Sequence, residues 1–396
     1  MRQDEKEYRK DVGINNSLLS AFAKSLEELR DYKDPKKQAD NKKKPHFRMG
    51  LGVDCSVLNP DEFEKDFIIS PSFKEDSTIA KLFEKYLLTE KEWDTEKLLA
   101  LSSTMGLWGS TKDPKKREAN FNTVEGRDLF EFLQSRANGE DRTYLTEEEL
   151  EEVKKCSETL LTHPNTANFF KRTETKDVLT QVPYYWNEPL IIPIPDTYGF
   201  LAQNNVFIVE DGYCVAVRMK ILLDIVEVNH LIKMIKPSDL KTMNKFASDE
   251  FVNSFTAYGY IRQGSLYHHG ITLWAKEHYP DYEVDAFRFV VNSFKQIEEP
   301  LVFEMSPRDL EGGKVGATIK GRKVKGWQQL VNEYVKQMAC GSTTIHYSQI
   351  QNLKDNGAIL LDVCDYVNSI EEVTSADEPM QPDWNFDLPN EEEIEL

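Results

Sequence analysis

Long apolar runs are missing from this 396-residue chain: no stretch of about 18 apolar residues occurs, the length a membrane-crossing helix requires. The opening segment, MRQDEKEYRKD, has no apolar core either, so neither a membrane span nor a signal peptide is expected. Cysteine is scarce. Cys55, Cys156, Cys214, Cys340 and Cys364 are odd in number, far apart and form no CxxC pair. That excludes a disulfide framework and a four-cysteine zinc or iron–sulfur site, and makes a reducing, cytoplasmic compartment the expectation. No GxxxxGK[ST] phosphate loop and no Ser-His-Asp arrangement is present. Net positive charge is also lacking. Lys and Arg number 49 against 68 Asp and Glu, giving −19 at pH 7, which taken alone argues against a nucleic-acid partner.

The distribution of that charge alters the inference. From position 371 to 396 there are ten acidic residues and no basic one, and removing them leaves −9 for the rest. This end reads as an acidic disordered tail. Basic residues gather elsewhere: seven against two acids over positions 33–48, the run KDPKKR at 112–117, and five with no acid over positions 314–325. Each alone is equally well a solvated loop. Together they make a localised phosphate-facing surface the expectation, with Lys320, Arg322, Lys323 and Lys325 as its candidates.

Apolar periodicity predicts helices over 15–30, 49–58, 77–88, 126–134 and 146–161, the last opened by Thr146 and Glu149 in a capping box. After His163-Pro164 the pattern changes to short β-branched and aromatic runs, predicting strands over 177–186, 206–210, 213–228 and 231–241. One long helix over 249–277, strands over 284–294 and 301–305, and a helix over 327–338 follow. The fold class expected is α/β: a mixed central sheet flanked by helices, with a mainly helical N-terminal part. The expected divisions are 1–165 (helical), 166–310 (sheet-containing core), 311–370 (basic loop and helical extension) and 371–396 (acidic tail). The glycines between Gly312 and Gly326 read as a flexible basic loop.

The stretch that carries chemistry is RMKILLDIVEVNHLIKMIKPSDLKTM (218–243). Asp224 falls on or at the end of one strand, and Asp239 and Lys241 near the end of the next, two apart and so on one face. Two acids and a lysine converging from adjacent strands can bind Mg²⁺ through hard carboxylate oxygens and position a water. As bare spacing, the pattern also arises by chance in an exposed charged hairpin. The following helix adds Gln263 and Tyr267, four apart on one face.

In this order LLD (222–224), DLKT (239–242), YGY (258–260) and QGSLY (263–267) resemble the PD-(D/E)xK nucleases, in particular the exonuclease VIII-like branch of bacteria and phages, related to the RecB nuclease domain. HFRMGLGVDCSVLNPDEF (46–63) is similar to that family's upstream helix and YLTEEELEEVKKCSETLLTHP (144–164) to its second, so the resemblance spans roughly 14–310. It implies a restriction-endonuclease-like core. It further implies a deoxyribonuclease, an exonuclease resecting duplex ends in phage or bacterial recombination and repair. Asp54, Asp224, Asp239 and the Leu240 carbonyl would bind Mg²⁺ (Mn²⁺ able to substitute), Lys241 would position the attacking water, and Gln263 and Tyr267 would orient the site. Expected partners are linear duplex DNA and a single-strand annealing protein, with a homo-oligomer compatible, in the cytoplasm of a bacterial cell or phage-infected host.

The chain departs from the family at four places: Asp54 stands where a His is usual, Leu223 replaces the proline before the first acid, Pro237 falls inside the second strand, and 189–212 reads as an insertion. Asp54 and Pro237 motivate one alternative, a DNA-end-binding or recombination scaffold with an impaired site; an endonuclease of the same superfamily is a further alternative. Glu227 is a spare acid nearby, and His268-His269 read as an exposed pair on the helix.

Overall fold

The computed structural model describes residues 3–37, 44–71, 77–109, 111, 113–138, 142–192, 206–209, 212–319, 321–340, 342–349 and 353. The acidic tail and Lys320 lie outside them. Helices α1 (Gln3–Lys10), α2 (Asn16–Lys24), α3 (Leu26–Lys33) and α4 (Pro45–Leu58) open the chain. Helices α5 (Thr78–Leu87), α6 (Thr95–Thr104), α7 (Val124–Ala137) and α8 (Glu147–Thr162) follow, with a parallel two-stranded pair of β1 (Phe67–Ile69) and β2 (Thr143–Leu145) among them. The sheet comprises β3 (Lys176–Ile192), β4 (Val206–Val209), β5 (Gly212–Asn229), β6 (Met234–Met243), β7 (Glu283–Val284), β8 (Arg288–Ser293) and β9 (Gln296–Glu304). Its main order is β3-β5-β6-β8-β9, with β6 and β8 parallel and the other neighbours on that path antiparallel. Helices α9 (Ala247–Ala257) and α10 (Tyr260–His278) lie between β6 and β7; α11 (Pro307–Val315), a hairpin of β10 (Ala317–Ile319) and β11 (Arg322–Val324), and α12 (Trp327–Cys340) come last.

The chain is therefore a mixed α/β fold with a central mixed sheet between helices. One sheet face packs Met219, Ile221 and Leu223 against α10, α2 and α12 through Leu266, Leu19 and Trp327. The opposite face packs Ile225, Leu240 and Val290 against α4 and α8 through Val53 and Val153. A separate apolar cluster holds α5, α6 and α7 together around Phe83 and Phe130. Among the described residues no helix is long and apolar enough to cross a membrane.

Several elements differ from the periodicity, each for a local reason. The helix expected over 15–30 is two, because Ser25 is extended (φ −169°) and its Oγ accepts the Glu28 N–H at 3.0 Å, starting a new helix. The helix expected over 249–277 is also two. Gly259 at φ 68° is left-handed, a conformation that ends α9 and that residues with a Cβ rarely adopt. The β5–β6 turn takes Leu231 and Ile232 because the Asn229 side chain accepts both their N–H groups, at 3.1 and 3.3 Å. The strand expected over 284–294 is interrupted into β7 and β8, and Pro237 falls between the last β6–β7 pair (Ile235↔Val284) and the first β6–β8 pair (Ser238↔Arg288). A proline that donates no ladder bond is tolerated at such a gap. The glycine-spaced basic segment is not a flexible loop: it forms the end of α11 and the β10–β11 hairpin. Helix α6 and strands β1 and β2 are further elements that the periodicity did not indicate.

The capping box opening α8 is present. Thr146 Oγ1 accepts the Glu149 N–H at 3.2 Å and Glu149 Oε2 accepts the Thr146 N–H at 3.0 Å. The same carboxylate is forked by Arg48 of α4, with Nη2 at 2.6 Å from Oε1 and Nε at 2.8 Å from Oε2, both side chains largely buried. Glu149→Ala thus removes a cap and strands a buried guanidinium, so we expect a loss of about 3–5 kcal/mol in urea unfolding. A loss below about 1 kcal/mol would show that water or another acid replaces Glu149.

Candidate active site

The site lies where β5 and β6 diverge. Their ladder runs from Asn229↔Met234 to Ile225↔Ser238 and stops one step short of Asp224 and Asp239. Beyond that point β6 pairs with β8, and the Leu240 N–H donates instead to Asp224 Oδ2 at 3.0 Å. The fork places both acids at the gap.

The opposite side of β5 is irregular at the same level. Val217, Met219, Ile221 and Leu223 face the α10 side, and so do Val226 and Val228, whereas Ile225 faces α4 and α8. Alternation therefore slips by one residue across Asp224. On β3, the pairs Thr180↔Ile225 and Val182↔Leu223 bracket Gln181 and Asp224, which do not pair. Gln181 has φ 53°, and its Nε2 donates to Asp224 Oδ1 at 3.0 Å. A left-handed non-glycine residue costs about 1–2 kcal/mol. The slip persists because Leu223, Ile225 and Val226 are each fully buried, and exposing one would cost about 1.5–3 kcal/mol.

Asp239 is 2% exposed. Its Oδ1 accepts from Gln263 Nε2 at 2.7 Å, and Lys241 Nζ lies 2.5 Å from Oδ2, an ion pair without hydrogen-bond alignment. The strand-period expectation that Asp239 and Lys241 share a face holds. The Lys241 ammonium also sits 5.3 Å from the centroid of the Tyr260 ring, a cation–π contact. Gln263 and Tyr267 occupy one face of α10 as their spacing requires. The Tyr267 ring meets Phe287 edge-on at 6.1 Å.

Burial is the largest influence on every ionisable group here. It raises the Asp224 carboxyl well above its ordinary value, reinforced by the negative charges of Asp239 and Asp54. Burial likewise raises Asp239, opposed by the Lys241 ammonium. For Lys241 burial acts downward, but Asp239, Tyr260 and Asp224 outweigh it and the net shift is upward, so the ammonium is held charged. Burial raises Tyr267 well above the usual phenol range, with the Tyr8 hydroxyl and both acids adding to it.

Asp54 comes to this cluster on α4. Gly50, one turn earlier, lies so close to β6 that a Cβ there would meet Thr242 Oγ1 at 2.8 Å, and a Cβ on Gly52 would sit 3.1 Å from Val153 of α8. The half-buried Asp54 carboxylate acts on Asp224 more weakly than Asp239 does, and also on the Cys156 thiol. Among the described residues no three His, Cys, Asp or Glu side chains gather closely enough to hold a metal ion. The arrangement is a carboxylate pair, a lysine and an amide, with Asp54 as an outlying charge. Its oxygens are the hard donors that Mg²⁺ or Mn²⁺ prefers, and Asp239 Oδ2, beside the Lys241 ammonium, takes no aligned hydrogen bond.

Other candidates lie elsewhere. Glu227 pairs with Lys176 at 2.7 Å. His268 and His269 are half-buried, not exposed. His269 contacts Glu188 at 3.0 Å and packs on Trp327. Arg322 and Lys323 are exposed on the β10–β11 hairpin, while Lys325 is engaged with Glu333 at 2.8 Å. Gln181 was not indicated by sequence, since nothing in a glutamine signals left-handed backbone. Tyr260 lay within the YGY signature, but no role was attached to it.

No family model and no curated protein matches this chain. Among solved structures it is similar to a "Putative exonuclease" from Eubacterium rectale, at 14% identity and a TM-score of 0.26, over 74% of this chain and 79% of that one. So loose a superposition carries no argument about fold or activity.

Proposed function

We propose that this chain is a Mg²⁺-dependent DNA exonuclease of the PD-(D/E)xK type, resecting linear duplex ends in phage or bacterial recombination and leaving single strands for an annealing protein. The observation that carries the reading is the fork of β5 and β6, where a buried and a half-buried carboxylate meet a charged lysine that is itself paired to the buried one. A second reading, a DNA-binding scaffold without hydrolysis, is favoured because among the described residues no three His, Cys, Asp or Glu side chains gather closely enough to hold a metal ion.

Asp224, Asp239 and the Leu240 carbonyl would hold the cation, with Asp54 as a further carboxylate. When bound, the cation supplies Lewis-acid polarisation of a phosphoryl oxygen. The protein residues divide the remaining work. Gln263 fixes the orientation of Asp239, and the Leu240 N–H and Gln181 fix Asp224. Lys241 places a permanent positive charge where the phosphoryl group gains negative charge and where a water can be oriented. Burial of all three ionisable groups strengthens these interactions.

Two measurements test the reading. With Mg²⁺ or Mn²⁺, linear duplex should be degraded and covalently closed circles left intact. Cutting of circles indicates the endonuclease, and binding without loss of linear DNA indicates the scaffold. Gln181→Gly removes both the strained φ and the bond to Asp224. We expect little change in stability but roughly a 10–100-fold fall in activity, the usual size for loss of a ligand-orienting partner. Unchanged activity would show that Gln181 does not position Asp224.

A further inference from the structure

A buried positive charge with no counterion among the described residues lies one residue from Gln263. Arg262 is 5% exposed and belongs to the first turn of α10. Its Nη2 donates to Ser20 Oγ at 2.8 Å, and its Nε has no partner. No charged group acts on it; burial alone pushes its pKa down, to about 10, which leaves it charged at neutral pH.

By contrast, Arg48, Lys220 and Lys241, buried or half-buried, are compensated. Arg48 is forked by Glu149, Lys220 donates to the Tyr8 and Asp11 carbonyls at 2.7 and 2.6 Å, and Lys241 pairs with Asp239. An uncompensated buried charge costs several kcal/mol. The surroundings of Arg262 add to the demand for an anion. Its guanidinium lies against Gly259, where a Cβ would come within 2.4 Å of Nη2. Gly259 is the N-cap of a 19-residue helix with no capping side chain and no acid in the first turn. The positive end of the helix dipole and the guanidinium thus adjoin. Ala257 and Tyr258 just ahead are exposed, whereas Gly259, Ile261 and Arg262 are buried, so the surface lies immediately before the helix start. Tyr260, the first residue of α10, covers the Lys241 ammonium.

We propose that Arg262 and the N-terminus of α10 form a phosphate-binding subsite that holds a backbone or end phosphate of the substrate other than the one being cut. The proposal rests on the nuclease reading for its substrate, but the anion site stands independently of it. A planar guanidinium with an unpartnered Nε–H, set against a helix N-terminus, matches a phosphate's oxygens.

Inorganic phosphate is the first probe. It should raise the melting temperature of the wild-type chain beyond the effect of chloride at equal ionic strength. In Arg262→Gln that rise should vanish while the unliganded protein melts no lower than wild type, because the orphaned charge is gone. Asp239→Asn should keep the rise. If Arg262→Gln does not fold, Arg262→Lys keeps the charge without the fork and should show a clearly smaller rise. An undiminished rise in either variant overturns the subsite.

On short linear duplexes with Mg²⁺, Arg262→Gln should raise KM about tenfold with kcat changed less than about twofold, the signature of lost uniform binding. A penalty confined to 5′-phosphorylated ends assigns the end phosphate, and an equal penalty on 5′-hydroxyl ends assigns an internal one. If wild type hydrolyses no DNA but the Arg262-dependent phosphate effect is seen, the nuclease reading fails and the subsite stands. If DNA is hydrolysed and phosphate acts independently of Arg262, the subsite alone fails.

Discussion

Asp239→Asn should lower Mg²⁺-dependent hydrolysis of linear duplex DNA by about a thousandfold or more while the chain remains folded, a change equivalent to about 4 kcal/mol of transition-state stabilisation. The substitution is nearly isosteric, so the Gln263 amide keeps an acceptor at the position of Oδ1. What it removes is one of the two carboxylates at the β5–β6 fork and the partner of Lys241. The ammonium, left beside a neutral amide, turns toward Asp224, whose charge already acts on it. Both the cation donors and the position of the lysine are then lost together. Circular dichroism and melting should be close to wild type, separating this effect from unfolding. Retention of more than about a tenth of the activity would mean that Asp239 contributes less than about 1.4 kcal/mol, too little for a principal ligand.

The second large effect is on stability. Lys241→Met breaks a buried ion pair and leaves Asp239 without its cation, which typically costs about 3–5 kcal/mol. The cost should depend on pH, and its sign follows from the shifts. Burial already raises the Asp239 carboxyl, and Lys241 is the main influence opposing it. Without the ammonium, the folded-state value rises further above the unfolded one. Stability is then retained at acid pH, where the carboxyl is protonated in both states, and lost as pH rises through the folded value. The deficit of Lys241→Met relative to wild type should therefore be larger at pH 8 than at pH 5. Adding Asp239→Asn removes the titrating group and should restore part of the stability and flatten the profile. A deficit equal at both pH values, or unaffected by the second substitution, would show that the two side chains are not coupled.

Much of the centre was legible because it depends on short-range rules. A turn after Asn229 sets two strands antiparallel, which brings Asp224 opposite Asp239, and the strand period puts Lys241 on the same face. The helical period did the same for Gln263 and Tyr267. What was not legible depends on tertiary context. The 15–30 and 249–277 helices each carry continuous apolar periodicity, and only the backbone of Ser25 and Gly259 divides them. The left-handed Gln181 follows from a phase slip shared by two long strands, which neither strand's pattern reveals. Arg262 reads as a solvated residue on a helix, since arginine is rarely buried without a partner. The net charge of −19 misdirects for a related reason: ten of its acids lie in the terminal segment outside the described residues, and two more form the carboxylate pair.

The most direct test is the release of acid-soluble nucleotides from a linear duplex by the full-length wild-type chain, with Mg²⁺ and with a chelator, beside Asp239→Asn. The account predicts release with Mg²⁺, none with the chelator, and at least a thousandfold less from Asp239→Asn. It would be contradicted by no release from wild type with either Mg²⁺ or Mn²⁺, or by release that continues at the same rate after Asp239 is neutralised.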